Sequence, residues 1–439
     1  MSGSEPIQGA DPSLRAPTTP WGSALLYAVA GVAGSAAAVW AIIGGLFAVW
    51  RLYIVRDLKP PPLPAMPLLW ATVIAYYMAG AFSALLFPAD QQSLQQVVER
   101  LPFLLMPPLL LLLARSEAKA LLNWSACGAA IGVAISATYL LVTFDPVLDV
   151  RAEALSGNAN VFGYTHALLV VLLSLGWGLS GHRWLRVTFA ISIPLAFGLI
   201  YLSGSRGALI SAVLTCVIMA WFSLHRWSVW TRIAALLAVL AFSVAVLSTT
   251  PLADRFTRTL NDLSAEKIDY AGTNGARLAM WQCGVSNALE TPFIGPGHDA
   301  ALLSLETCLR EQFGVKMRVS HFHNLFLDQF AKGGIVALIP ASLLAFLPFI
   351  FLLAWRAHAP PISHVHSSGF LSQRQMLMAS ILSLFATQMV ASLFNIGFGH
   401  DVLDAGFIYT FVLLFGLLHA HGCEPSLTHG LMRPDEREL

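Results

Sequence analysis

The feature that most constrains this chain is a series of long apolar runs. A helix that crosses a bilayer needs about 20 mostly apolar residues, because lipid offers no partner to a backbone N–H or C=O group. Eleven such runs occur, at about 22–50, 67–87, 98–114, 120–143, 162–180, 187–203, 207–224, 233–249, 333–354, 375–397 and 405–420. The first run suits one tilted helix or a tight pair, since the small residues around Gly34 and Ser35 can hide a turn. Eleven or twelve spans are therefore predicted. Composition agrees, with 56% of the 439 residues hydrophobic and 11% charged, against roughly 25% charged in a soluble domain. A soluble globular enzyme is excluded. The formal net charge of +1 shows no basic excess that would suggest nucleic acid.

Basic residues collect in cytoplasmic loops of membrane proteins. Arg51, Arg56 and Lys59, Arg115 and Lys119, Arg183 and Arg186, Arg226 and Arg232, and Arg356 and Arg374 all belong to one alternate set of loops. Placing that set in the cytoplasm puts residues 88–97, 144–161, the Ser203–Gly207 turn, 250–332 and 398–404 outside. An even span count also places both termini inside, which favours twelve. Residues 1–20 are polar and Pro-rich with Arg15 as their one basic residue, so the first span itself is expected to direct insertion. The expected fold class is an all-α polytopic membrane protein of about 12 transmembrane helices with a large external helical loop. Its expected segments are a cytoplasmic tail 1–21, helices over 22–249, an external loop 250–332, helices over 333–420 and a cytoplasmic tail 421–439.

The external loop departs from the general scarcity of charge: residues 250–323 hold 15 of the chain's 49 charged residues. Two surface helices are readable in it. Phe256, Leu260 and Leu263 recur at helical spacing, and so do Leu278, Trp281, Val285 and Leu289 after Thr273-Asn274-Gly275, where Asn274 lies near the cap. Thr291-Pro292-Phe293-Ile294-Gly295-Pro296-Gly297 ends the second. Cys283 and Cys308 share this loop, where an oxidising compartment allows a disulfide and two buried thiols are the alternative.

Four elements carry candidate chemistry. Ser203-Gly204-Ser205-Arg206-Gly207 interrupts two apolar runs at the external interface. It reads either as a turn whose Arg anchors at head-groups or as an anion site, since a guanidinium grips phosphate oxygens in pairs and small neighbours leave room. Arg277 opens an external helix, whose N-terminal N–H groups also favour an anion, or is a solvated loop charge. His321-Phe322-His323-Asn324 stands before the ninth span, and imidazole is suited to take a hydroxyl proton near neutral pH. Two histidines can also bind metal, but His298 and Asp299 lie more than twenty residues away, so no metal and no cofactor is expected. Arg151 and Ser156-Gly157-Asn158-Ala159-Asn160 offer amides for sugar hydroxyls or simply make a turn.

Together, Ser205–Ala208, the stretch Gly275-Ala276-Arg277-Leu278-Ala279-Met280-Trp281, Gly295-Pro296-Gly297 and His323-Asn324 before a span resemble the bacterial O-antigen ligase family, within the wider group of lipid-linked glycan ligases and polymerases. The family's Gly-x-x-Gly/Thr/Tyr element begins here at Gly334, and Ala337 departs from its last position. The resemblance implies an inner-membrane glycosyltransferase with a periplasmic active site. Such an enzyme moves O-antigen polysaccharide from undecaprenyl diphosphate to a sugar hydroxyl of lipid A–core, inverting the anomeric centre without a metal or nucleotide. By this resemblance Arg206 and Arg277 bind the donor diphosphate and His323 is the base. Ser205, His321, Asn324, Arg151, Asn158 and Asn160 are expected to line the substrate site, in a chain that works as a monomer among membrane lipids. An O-antigen polymerase or a protein O-oligosaccharyltransferase uses the same donor, and a lipid-glycan transporter is the non-enzyme alternative. A transporter should show repeated halves and charges at the midplane, whereas no repeat is visible and charge gathers in one external loop.

Overall fold

The computed structural model describes residues 21–30, 36–56, 63, 65–88, 90–145, 151–224, 228–234, 237, 269–270, 272–358, 373–395 and 397–423. Among these the chain is helical throughout its regular structure, and ten helices are long and apolar enough to cross a membrane. The first apolar run is a pair: α1 (Trp21–Ala30), too short to count among the ten, and α2 (Ala36–Val49), which a π-turn extends to Val55. The next helices are α3 (Met66–Leu86), α4 (Gln91–Arg100), α5 (Met106–Leu113) and α6 (Ala118–Thr143). They are followed by α7 (Ala159–Leu179), α8 (Arg183–Ser203) and α9 (Arg206–Ser223). The expected span at 233–249 and the surface helix at Phe256–Leu263 lie outside the described residues. After them come α10 (Thr273–Glu290), α11 (His298–Phe313), α12 (Leu325–His358), α13 (Gln373–Phe394) and α14 (Asp401–Cys423).

Helix α7 is apolar on every side, which suits the centre of a bundle. It packs against α6, α8, α9, α13 and α14 and is almost wholly buried, as is α14. Small residues allow this closeness. A Cβ on Gly207 in the first turn of α9 would collide with the Tyr164 hydroxyl of α7. The polar chemistry is therefore pushed to one end of the bundle, where α7, α9 and α12 begin and α8 and α13 finish.

The segment read as an external loop at 88–97 is instead the polar helix α4, joined through a 3₁₀ turn (Leu101–Leu105) to α5. Asp90 explains where it starts. Its carboxylate accepts from Ser93 N (3.1 Å) at the head of α4 and from His298 N (2.8 Å) and Asp299 N (3.1 Å) at the head of α11. Burial pushes this carboxyl up, but the hydrogen bonds from Asp299, Ser93 and His298 outweigh it and hold it below its usual value. One side chain thus caps two helices and ties α11 to α4. Losing one N-cap costs about 0.5–2 kcal/mol, so Asp90→Ala is expected to lower the thermal midpoint markedly, while Asp90→Asn, which still accepts hydrogen bonds, retains most of it. Because the native carboxyl is held low, its contribution is present at neutral pH and fades as pH falls through that lowered pKa. Thermal unfolding of the purified variants at two pH values measures both.

Two features around residues 273–334 differ from the sequence reading. Helix α10 buries Ala276, Ala279, Met280 and Cys283, not the expected stripe, and leaves Val285 and Leu289 exposed. One cause is close approach: Phe322 packs where a Cβ on Gly284 would stand, so that position admits no side chain. Cys283 and Cys308 form a disulfide that joins α10 to α11, with Cα atoms 6.0 Å apart. Helix α12 begins at Leu325, ahead of the expected boundary at 333, and breaks near that boundary at Gly334 (φ 63°). There the 291–297 loop supplies replacement acceptors, Pro292 O for Ile335 N (2.8 Å) and Phe293 O for Val336 N (3.3 Å). A side chain at Gly334 would strike the Phe293 backbone, and its φ disfavours one in any case.

Candidate functional site

Arg206 owes its place to the turn between α8 and α9. Gly204 closes α8 in the left-handed conformation (φ 63°), and the Ser205 hydroxyl caps α9 by accepting from Ala208 N (3.4 Å). Arg206 is then the first residue of α9, where unpaired helix N–H groups gather. Its Nη2 donates to Asn274 Oδ1 of α10 (3.1 Å). Asn274 therefore bridges to Arg206, whereas the cap position expected near it belongs to Gly272. Arg277 follows one turn into α10. Burial first, and the neighbouring Arg206 second, lower the Arg277 pKa from its ordinary value.

Both arginines line a cavity of about 570 Å³ at the end of the bundle. Arg151 lines it as well, held by Ser203 O (2.6 Å from Nε) and Asn160 Oδ1 (2.8 Å from Nη2). Ser205, Tyr164, Asp269 and Asn395 complete the polar wall. Among the described lining residues, three guanidinium groups stand against one carboxylate, that of Asp269, which makes this wall cationic.

The histidine segment is clamped through the residue between its two rings. Phe322 is fully buried; its N–H donates to Asp328 Oδ1 (3.1 Å) and its carbonyl accepts from Trp281 Nε1 (3.0 Å). Lys332 Nζ pairs with Asp328 at 2.8 Å and reaches Ser320 O at 3.4 Å, fixing the segment's other end. Residues two apart in an extended segment share one face, and His321 and His323 do so here with ring centroids 4.2 Å apart, His323 taking a left-handed backbone (φ 52°) before α12. His321 Nε2 and His323 Nδ1 share a hydrogen bond (3.1 Å), and His321 Nδ1 meets Ser320 Oγ (2.9 Å). The Asn395 side chain hydrogen-bonds to both rings.

Burial, then His321, then Arg277 lower the His323 pKa to about 4, against the opposing pull of Asn395 and Asp328. The ring is neutral at pH 7 and able to accept a proton. If it acts as a base, kcat/KM, which reports the free enzyme, should be flat through neutrality and fall about tenfold per unit only below about 4. The kcat limb should lie higher, because an anion bound beside Arg277 removes part of the repulsion. Paired pH profiles of the two constants check this.

Not every expected residue points into the cationic cavity. Asn158 Oδ1 caps α7, accepting from Asn160 N (2.9 Å) and Val161 N (3.3 Å), and Asn158 lines a second cavity. Asn324 Oδ1 accepts from Leu327 N (3.0 Å) and its Nδ2 donates to Leu393 O (3.3 Å), so it starts α12 and holds α13 beside it. His321 lines the second cavity too. His298 lines that second cavity as well, with Gln96 Nε2 donating to its Nδ1 (2.6 Å). Among the described residues no three His, Cys, Asp or Glu side chains cluster as a metal site would require. Sequence reasoning passed over Tyr164, Asn395 and Asp269 and read Asn274 only as lying near a helix cap.

Residues 190–342 match the O-antigen ligase family, and this stretch contains Arg206, Arg277, His321, His323 and Asn324. The chain is also similar to the O-antigen ligase of Escherichia coli (strain K12), 24% identical over 165 residues. That similarity spans 36% of this chain and 39% of the relative. The resemblance carried by the sequence motifs is thus borne out: over residues 190–342 this chain, with its ten helices able to cross a membrane, is similar to the O-antigen ligase family.

Proposed function

We propose that this chain transfers O-antigen polysaccharide from undecaprenyl diphosphate to a sugar hydroxyl of lipid A–core, at the periplasmic face of the bacterial inner membrane. The observation that carries the reading is the cationic cavity at the head of α9, with a neutral histidine pair beside it. A lipid diphosphate needs two or more cations at one membrane face. Arg206 and Arg277 provide them on helix N-terminal turns, and Arg151 adds a third charge on the same wall.

The reaction is one displacement. The acceptor hydroxyl gives its proton to His323 Nε2 as its oxygen forms the new bond to the anomeric carbon. The bond from that carbon to the diphosphate oxygen breaks, and its electron pair leaves with the diphosphate, which the arginines stabilise. In this reading His323 Nδ1 carries its hydrogen toward His321 Nε2 and His321 Nδ1 donates to Ser320 Oγ, which leaves His323 Nε2 as the basic atom. His321 is thus a positioning residue that fixes the tautomer. The displacement inverts the anomeric carbon and calls for neither metal nor nucleotide.

The test is a reconstituted assay with undecaprenyl-diphosphate-linked glycan and three separate acceptors: rough lipopolysaccharide, a second lipid-linked glycan, and a pilin-type protein. Transfer to rough lipopolysaccharide alone is expected. Transfer only to lipid-linked glycan would make the chain a polymerase, and labelled lipid crossing vesicles without any transfer would make it a transporter.

A further inference from the structure

Helix α4 has its polarity reversed for a segment that leads into a membrane span. Leu94, Val98 and Leu101 face outward, 54%, 69% and 50% exposed, while Gln92, Gln95, Gln96 and Glu99 follow the i, i+3, i+4, i+7 spacing and line an open cavity. The stripe is exposed at Gln92 and Gln95 and half-buried at Gln96 and Glu99, so these groups meet water or a polar occupant of the cavity. The cavity measures about 460 Å³, within the range of ligand sites. It is bounded opposite α4 by His298, Asp299, Ser320, His321 and His400. A neighbouring space of about 260 Å³ shares Glu99, Gly399 and His400 with it, so Glu99 stands at their junction.

The chemistry of this wall is unlike that of the arginine cavity. Its two cations are withdrawn: Arg100 is 4% exposed, bonded to Tyr76 O, Gln96 and Gln329, and Lys332 is 6% exposed and paired with Asp328. What faces the space is amides, carboxylates and imidazoles, the donors and acceptors that match a neutral polyhydroxyl molecule, over the aromatic rings of Tyr76 and Phe398. Position adds the second argument. Asn395 lines the arginine cavity, His321 lines this one, and the two are joined through hydrogen bonds to His323. The histidine pair is the partition.

We infer that this second cavity is the acceptor subsite, in which Gln92, Gln95, Gln96 and Glu99 hold the sugar that presents its hydroxyl to His323. The inference rests on the glycosyl-transfer reading above, because an inverting displacement needs the nucleophile and the leaving group on opposite sides of the reacting carbon. The diphosphate then lies among the arginines and the acceptor sugar lies across the partition. The adjoining space at Glu99 and His400 takes the next sugar of the acceptor.

The experiment uses the full chain in nanodiscs and measures KM separately for lipid-linked donor and for the acceptor that the wild type glycosylates. Glu99→Gln and Gln95→Ala, both at half-exposed or exposed positions that the fold tolerates, are expected to raise the acceptor KM about tenfold or more and to leave the donor KM within about twofold. Arg206→Lys serves as the opposite control, raising the donor KM first. A rise in donor KM for the α4 variants, or no change in either constant, overturns the subsite. If the wild type glycosylates no acceptor at all, the transfer reading itself fails. Binding of rough lipopolysaccharide to wild type and Glu99→Gln then still decides the cavity: about tenfold weaker binding supports a sugar site and equal binding removes it.

Discussion

His323→Ala is expected to leave a folded, membrane-inserted protein whose glycan transfer falls by about 10²–10⁴. The fold should survive because what clamps the segment is Phe322: its ring fills the space beside Gly284, its N–H is held by Asp328 and its carbonyl by Trp281. None of these contacts uses the imidazole of His323. Alanine also retains access to the left-handed backbone there at a cost of about 1 kcal/mol, so thermal stability should shift by little. Donor binding should not weaken, since removing a neutral ring beside Arg277 takes no charge from the arginine cavity. His321→Ala should do less to the rate but displace the low-pH limb of kcat/KM, because it removes both the second-largest cause of the lowered pKa and the partner of Nδ1. A protein that merely loses structure would show no such shift. Equal transfer by His323→Ala and wild type at matched expression would remove the base from the mechanism.

Arg206→Lys and Arg277→Lys are the second pair of large effects. Lysine keeps the positive charge but gives a point cation in place of a planar fork, so two-point contact with phosphate oxygens is lost. The loss of one charge-stabilising donor in a water-poor site is about 10²–10³ in kcat. For Arg206 the change also breaks the bond to Asn274 that ties α9 to α10. Arg277 is the cleaner probe for that reason. If both side chains grip one diphosphate, their effects are coupled, and the double variant should be less impaired than the product of the single losses. Undecaprenyl diphosphate binding to wild type, single and double variants measures this directly. Undiminished binding in all of them would place the diphosphate elsewhere.

Much of the architecture was legible because it depends on one simple rule, the length of apolar run that a span needs. The pairing of α1 with α2, the start of α9 at a Ser-Arg step and the break at Gly334 each left a local signature. What was not legible depends on partners distant in sequence. Helix α4 was hidden because its amides look like a loop until one knows that they line a cavity. The buried face of α10 was misread because periodicity marks the largest apolar residues, whereas close packing on Phe322 selects Ala276, Ala279 and Gly284. Asp90 gave no sign that it caps a helix more than two hundred residues away, because a carboxylate's acceptors are filled by tertiary structure alone. At the candidate site, Arg206, Arg277 and His323 stood out as charge or imidazole beside apolar runs. Tyr164 and Asn395 did not, since a tyrosine or a single amide at a span end is ordinary without its neighbours.

The account turns on one direct displacement by a sugar hydroxyl, with the arginines holding the departing diphosphate. The most direct measurement is the anomeric configuration of the new glycosidic bond, together with the amount of undecaprenyl diphosphate released, in a purified reaction of wild type and His323→Ala. The account predicts an inverted anomeric centre, one undecaprenyl diphosphate released per bond formed, and loss of both products together in the variant. A retained configuration, or a glycan trapped covalently on the protein, would contradict it.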